Sequence, residues 1–163
     1  MNNHKFRVHY GIEDIIFKYN SMSKIKKITC YFLKFIAYTT NGITSEESKT
    51  KIRLKFFAKA FLEEPLGQYP GTFNTFQMEQ ATNFHVREAQ KRAFEEEYLS
   101  LTLKQQIKDT STLIKLNPFF NENEVICMNS RLDHHHAYQD QLIKPVILPK
   151  EERITELIVL EVH

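Results

Sequence analysis

Phe84-His85-Val86-Arg87-Glu88-Ala89-Gln90-Lys91-Arg92-Ala93-Phe94-Glu95-Glu96-Glu97-Tyr98 is the stretch that decides the fold class. Ala, Glu, Gln, Lys and Arg fill most of it, and these residues give up little side-chain freedom in a helix. No glycine or proline occurs between Phe76 and Lys108, so one long helix is predicted across that span. Phe94, Tyr98 and Leu101 recur at helical spacing and mark its buried side. Glu88 with Arg92, and Lys91 with Glu95, stand one turn apart and are expected to add roughly 0.2–0.5 kcal/mol per pair.

Toward the N-terminus, Pro65, Gly67, Pro70 and Gly71 mark a linker over residues 65–75. Before it, Ile25, Ile28, Phe32, Phe35 and Ile36 stand at helical spacing over 24–39, with Lys24, Lys26, Lys27 and Lys34 between them. Asn41-Gly42 supplies residues tolerant of positive φ to end this helix, and Thr44 with Glu47 has capping-box spacing for the next. The second helix is predicted over 45–63, with Leu54, Phe57, Ala58, Phe61 and Leu62 as its apolar stripe. A short turn between two such stripes predicts a helical hairpin.

Toward the C-terminus the texture changes. Leu113, Leu116 and Pro118-Phe119-Phe120 lead to a turn at Asn121-Glu122-Asn123-Glu124, followed by β-prone pieces at Val125–Met128 and Val146–Leu148. Pro149 permits a final helix with Ile154, Leu157, Ile158 and Val162 on one side. The predicted class is mainly α with a small β element (α+β). The predicted organisation is a basic helical hairpin over 1–64, the linker over 65–75, and the long helix with the β element over 76–163.

The net charge of +2 conceals a lopsided distribution: residues 1–62 hold 12 Lys and Arg against 4 Asp and Glu, and the remainder holds 10 against 16. A basic half suits polyanions; the plainer alternative is a solvated lysine face. Cys30 and Cys127 lie far apart without metal-ligand spacing, which indicates reduced, structural thiols. Met1–Tyr10 is polar and mixed, and the longest apolar stretch, Tyr31–Tyr38, is short and interrupted by Lys34. The expectation is a soluble intracellular chain, cytoplasmic or nuclear, with no membrane partner.

Leu116-Asn117-Pro118-Phe119-Phe120-Asn121-Glu122-Asn123-Glu124-Val125-Ile126, then Arg131-Leu132, then Lys144-Pro145-Val146-Ile147-Leu148-Pro149-Lys150 resembles the start of the integrase region in Bel/Pao retroelement polyproteins. That family reads L-x-P-F-L-D-x-x-G-x-I-R-V-G-G-R-L, then H-P-I-I-L-P-K, then a helix leading to a histidine. Tyr19–Ile36 resembles the family's S-S-L-x-K-L-L-R-V-T-A-Y-x-L-R-F-I helix, and Gln90 with Phe94 its Q-x-x-x-F-x-x-E helix. Cys127-Met128-Asn129-Ser130 departs from the family's Arg-Val-Gly-Gly, and Lys144 replaces its histidine before Pro145.

The resemblance implies a non-catalytic pre-integrase region of a polyprotein associated with DNA integration, lying between RNase H and the integrase zinc-binding head. Retroelement integrase or reverse transcriptase domains are its implied partners. His163 resembles the first ligand of that head's zinc site; the remaining ligands and the catalytic carboxylates would follow it, so no cofactor is expected in this chain and zinc is implied only for the complete parent domain. No nucleophile elbow, Walker loop or dinucleotide fingerprint occurs, and no enzymatic activity is expected. Asp133-His134-His135-His136 reads as a loop whose imidazoles have incidental metal affinity.

A second class is a nucleic-acid-binding or scaffold protein that uses the basic helices. Lys24, Lys26, Lys27, Lys49, Lys51, Arg53, Lys55 and Lys59 would make weak, salt-sensitive, sequence-independent DNA contacts. A decayed copy without function is the third reading, and the altered Asn129-Ser130 turn favours it.

Overall fold

The computed structural model describes residues 11–40, 42–56, 72–129 and 144–162. It is mainly helical, with one two-stranded antiparallel sheet. The chain divides into two compact units between Ala81 and Thr82.

In the first unit a 3₁₀ turn, Ile12–Asp14, leads into the one-turn helix α1, Ile15–Lys18. Helix α2 spans Met22–Thr40, slightly beyond the predicted 24–39, and Ser21 Oγ accepts the Lys24 N–H at its start (3.4 Å). Cys30, Leu33 and Ala37 of α2 are buried with Ala81, and Phe32, Ile36, Phe73 and Met78 close around them. Phe35, predicted to belong to the apolar stripe, is instead 60% exposed. At 3.6 residues per turn it stands about 160° around the helix from Leu33. The buried face centres on Leu33, and the 25/28/32/36 row forms one flank of it.

Gly42 reaches the Thr39 carbonyl through its N–H (3.4 Å) without a positive φ of its own, and Asn41, the other residue of the predicted helix end, lies outside the described residues. Helix α3, Glu46–Phe56, starts one residue later than the Thr44 cap predicts: Ser45 Oγ accepts the Ser48 N–H (3.3 Å). It packs back on α2. Its predicted apolar stripe lies outside the described side chains, as do linker residues 65–71.

Helix α4 spans Thr75–Ala93. Asn74 Oδ1 accepts the Gln77 N–H (2.8 Å) while Gln77 Oε1 accepts the Asn74 N–H (3.1 Å), a reciprocal cap that satisfies two donors otherwise left open at a helix start. The single helix predicted to Lys108 is divided: Phe94 adopts φ −126°, ψ 45°, and α5 covers Glu95–Thr102. Backbone bonding passes through the bend, from Phe94 N–H to the Gln90 carbonyl and from Tyr98 N–H to the Phe94 carbonyl (2.8 Å each).

The end of α5 is a Schellman closure. Gln105 N–H reaches the Ser100 carbonyl (2.8 Å), Lys104 N–H reaches Leu101 (3.1 Å), and Lys104 takes φ 54°. A lysine holds the left-handed position that glycine usually fills, so no breaker appears in the sequence.

Strand β1, Pro118–Phe120, pairs antiparallel with β2, Ile126–Met128, in the register Pro118↔Met128, Phe119↔Cys127, Phe120↔Ile126. Asn121 makes the predicted turn between them, its Oδ1 accepting the N–H groups of Asn123 (3.0 Å) and Val125 (2.9 Å). The predicted strand at Val146–Leu148 is reduced to one bridge between Val146 and Cys127. Helix α6, Arg153–Val162, buries Ile154 and Leu157 but leaves Val162 80% exposed. The second core joins Leu113, Ile126 and Ile147, with Phe94, Tyr98 and Leu101 packed against it as predicted.

Candidate functional site

The second unit is organised by polar side chains of α4 that are nearly inaccessible to water. His85, Arg87 and Gln90 are at most 1% exposed. A buried polar group costs free energy where its hydrogen bonds are not met, so the partners of Gln90 and Arg87 identify their roles.

Gln90 occupies a rung of the sheet. In the antiparallel bridge beside β2, Ile147 N–H donates to the Ile126 carbonyl (3.0 Å) and Met128 N–H to Pro145 (2.9 Å). The reciprocal bond, from Ile126 N–H to the Ile147 carbonyl, would complete an ordinary ladder. Gln90 replaces it: its Oε1 accepts the Ile126 N–H (2.7 Å), and its Nε2 donates to the Ile147 carbonyl (2.7 Å) and the Ile126 carbonyl (2.9 Å). The carboxamide carries one acceptor and two donor hydrogens at the spacing of a peptide group, so it can stand in for a strand residue. It ties α4 to β2 and to the Pro145–Ile147 segment at once.

Arg87 secures the hairpin turn. Its Nη1 lies 3.3 Å from Glu124 Oε2 and its Nε 3.4 Å from Glu88 Oε1. Glu124 has φ 55°, in the left-handed region that costs a non-glycine residue about 1 kcal/mol or more. Tyr98 Oη donates to the Glu124 carbonyl (3.0 Å), so both ends of this residue are held. Burial pushes the Tyr98 phenol above its ordinary range, with Arg87 acting in the opposite direction, and the hydroxyl remains a donor at neutral pH.

Arg92 grips Glu152, just before α6, through two bonds: Nη2 to Oε2 (2.7 Å) and Nε to Oε1 (3.4 Å). The predicted Glu88–Arg92 pair is thus superseded, and Glu88 pairs with Lys91 (2.9 Å). His85 sits edge-on to Phe84, and burial, reinforced by the Arg92 charge, lowers its pKa to about 4. It is neutral at physiological pH.

The predicted basic residues separate into distinct groups. Lys24 and Lys27 are exposed on α2, while Lys26 is half-buried. On α3, Lys49 pairs with Glu46 and Lys51 with Glu47 (2.7 Å), so acidic neighbours offset their charge. The side chains of Arg53 and Lys55, together with Lys59, Asp133–His136 and His163, lie outside the described residues. Among the described residues, clusters of three or more His, Cys, Asp or Glu side chains suited to a metal are absent. No described helix is long and apolar enough to cross a membrane.

Sequence reasoning named Gln90 only as part of a motif and missed Arg87 and His85. Spacing offered little signal: Phe84–Gln90 is buried on nearly every side of α4, and Gln90 stands about 180° around the helix from Ala81, so no single apolar stripe marks these positions. No family model, curated protein or solved structure matches the chain.

Proposed function

We propose that the chain is a non-catalytic scaffold segment of a Bel/Pao-type retroelement polyprotein, the part that precedes and supports an integrase. The observation that carries this reading is Glu124. It stands where the family pattern has the glycine of L-x-P-F-L-D-x-x-G, and it adopts the left-handed backbone that would select glycine there.

Other pattern positions support the same reading by what they do. Asn121, at the pattern's aspartate, caps the turn with two bonds; Gln90, at its glutamine, fills the sheet rung; Phe94, Leu116 and Phe120 pack the second core. The residues in common are structural rather than chemical, which fits a part that positions its neighbours. Zinc and strand-transfer carboxylates belong to the neighbouring integrase under this proposal, and retroelement integrase or reverse transcriptase domains are the partners.

The coding DNA on both sides tests it. A reverse transcriptase and RNase H frame upstream, and the zinc ligands with a carboxylate triad downstream, are the expected result. Flanks carrying neither refute the proposal.

A further inference from the structure

The outer face of α2 is acid-free and interleaves lysine with aromatic residues. At 3.6 residues per turn, Lys24, Lys27, Tyr31, Lys34, Phe35 and Tyr38 fall within an arc of about 100°. Phe35 is 60% exposed and Tyr38 54%, in a helix whose opposite side is already committed to the first core. Helix α2 contains no Asp or Glu in its 19 residues. Lys24, Lys26 and Lys27 also crowd its N-terminal turns, where the helix dipole opposes positive charge. At the same end, Lys24 Nζ lies 4.3 Å and Lys18 Nζ 5.7 Å from the centre of the Tyr19 ring. Tyr19 and Lys18 share an open groove of about 570 Å³ with Phe17, Ile28 of α2 and Asp14, whose carboxylate accepts the Gly11 N–H (3.1 Å).

From these observations we infer that the outer face of α2 is a binding surface for single-stranded nucleic acid, with Lys24 and Lys27 on phosphates and Phe35 and Tyr38 stacking on bases. Solvated rings on the same helix face as cations, about 12 Å or more along the axis from Lys27, match a polyanion whose planar groups are open, and a duplex keeps its base faces covered. A membrane-surface helix would collect its apolar residues on one side and its lysines on the other, whereas here they share a face. From Lys24 to Tyr38 the helix rises about 21 Å, the length of about six stacked nucleotides. The α3 lysines do not extend the surface, because Glu46 and Glu47 engage Lys49 and Lys51. The inference rests on the exposed residues of α2 and not on the integrase reading, whose carrying observation, Glu124, lies in the second unit.

Fluorescence anisotropy on the full chain tests it with three probes: labelled oligothymidylate of about 12 nucleotides, duplex DNA of equal length, and phosphatidylserine vesicles. The oligothymidylate is expected to bind several-fold more tightly than the duplex. Raising salt from about 50 to about 200 mM should weaken binding about sevenfold, the slope for two phosphate contacts on a single strand. Phe35→Ala with Tyr38→Ala should lower affinity about tenfold or more with an unchanged salt slope, and Lys24→Gln with Lys27→Gln should flatten that slope. Circular dichroism checks that these exposed substitutions leave the helices intact. Binding of the vesicles without the oligonucleotide overturns the inference, as does equal affinity for strand and duplex. Indifference to the aromatic substitutions, or no binding at low salt, also overturns it.

Discussion

Replacing Gln90 with leucine keeps the volume at the sheet rung and removes every polar atom from it. The Ile126 carbonyl keeps the Ile147 N–H as a partner (3.0 Å), so two groups are orphaned: the Ile126 N–H and the Ile147 carbonyl. Each buried, unsatisfied group costs about 1–3 kcal/mol, which makes the expected loss about 2–6 kcal/mol. That is a large part of the roughly 5–15 kcal/mol that stabilises a typical domain. Urea unfolding followed by far-ultraviolet circular dichroism gives the total, and hydrogen exchange at the Ile126 amide gives the local effect. Gln90→Glu provides the chemical control. A carboxylate repels both carbonyls and is penalised by burial, but the protonated acid can donate to one of them. Its pKa is therefore raised in the folded state, and the variant should regain stability as pH falls through that raised value. If Gln90→Leu costs less than about 1 kcal/mol and leaves Ile126 protected, the strands close the rung themselves and the reasoning fails.

Three further outcomes follow from the geometry. His85 has its folded pKa lowered to about 4, so between the unfolded value of 6.5 and about 4 the unfolded state holds more protons; stability should decline as pH falls through that window, by roughly 3 kcal/mol, and the decline should be absent in His85→Gln. Lys104, exposed with φ 54°, should be improved by glycine: Lys104→Gly is expected to raise the thermal midpoint, by about 1 kcal/mol in stability, and Lys104→Val to lower it. Burial pushes the Cys30 thiol up to about 12 and also raises Cys127, so in the native protein at pH 8 Cys30 should react with iodoacetamide about a thousandfold or more slowly than a free thiol, and mass spectrometry should show rapid labelling of both cysteines in urea.

Helix class and position were legible because they depend on spacing. α2 and α6 arise where apolar residues recur at helical intervals, and the Asn121–Glu124 turn arises from side chains that bond their own backbone. The break at Phe94 and the end of α5 at Lys104 were not legible, because ordinary residues hold unusual backbone angles there under tertiary contact. β1 escaped for a related reason: three residues with a proline at their head have too little period to register, and the strand exists because β2 pairs with it. Gln90 and Arg87 are polar, so a search for the core passes over them, although the second unit is assembled around both. Phe35 shows the opposite failure, since periodicity placed it inside and the centring of the face on Leu33 turns it out.

The occupied rung also bears on the time course of folding. Gln90 precedes its partners by 36 and 57 residues, so its carboxamide finds a seat only after two long stretches of chain have closed. α4 and the β1–β2 hairpin draw on local contacts and can form first, which leaves the glutamine as a late latch. Loss of that latch would leave the refolding rate nearly unchanged and accelerate unfolding, so the persistence of the folded second unit depends on a side chain that takes little part in reaching it.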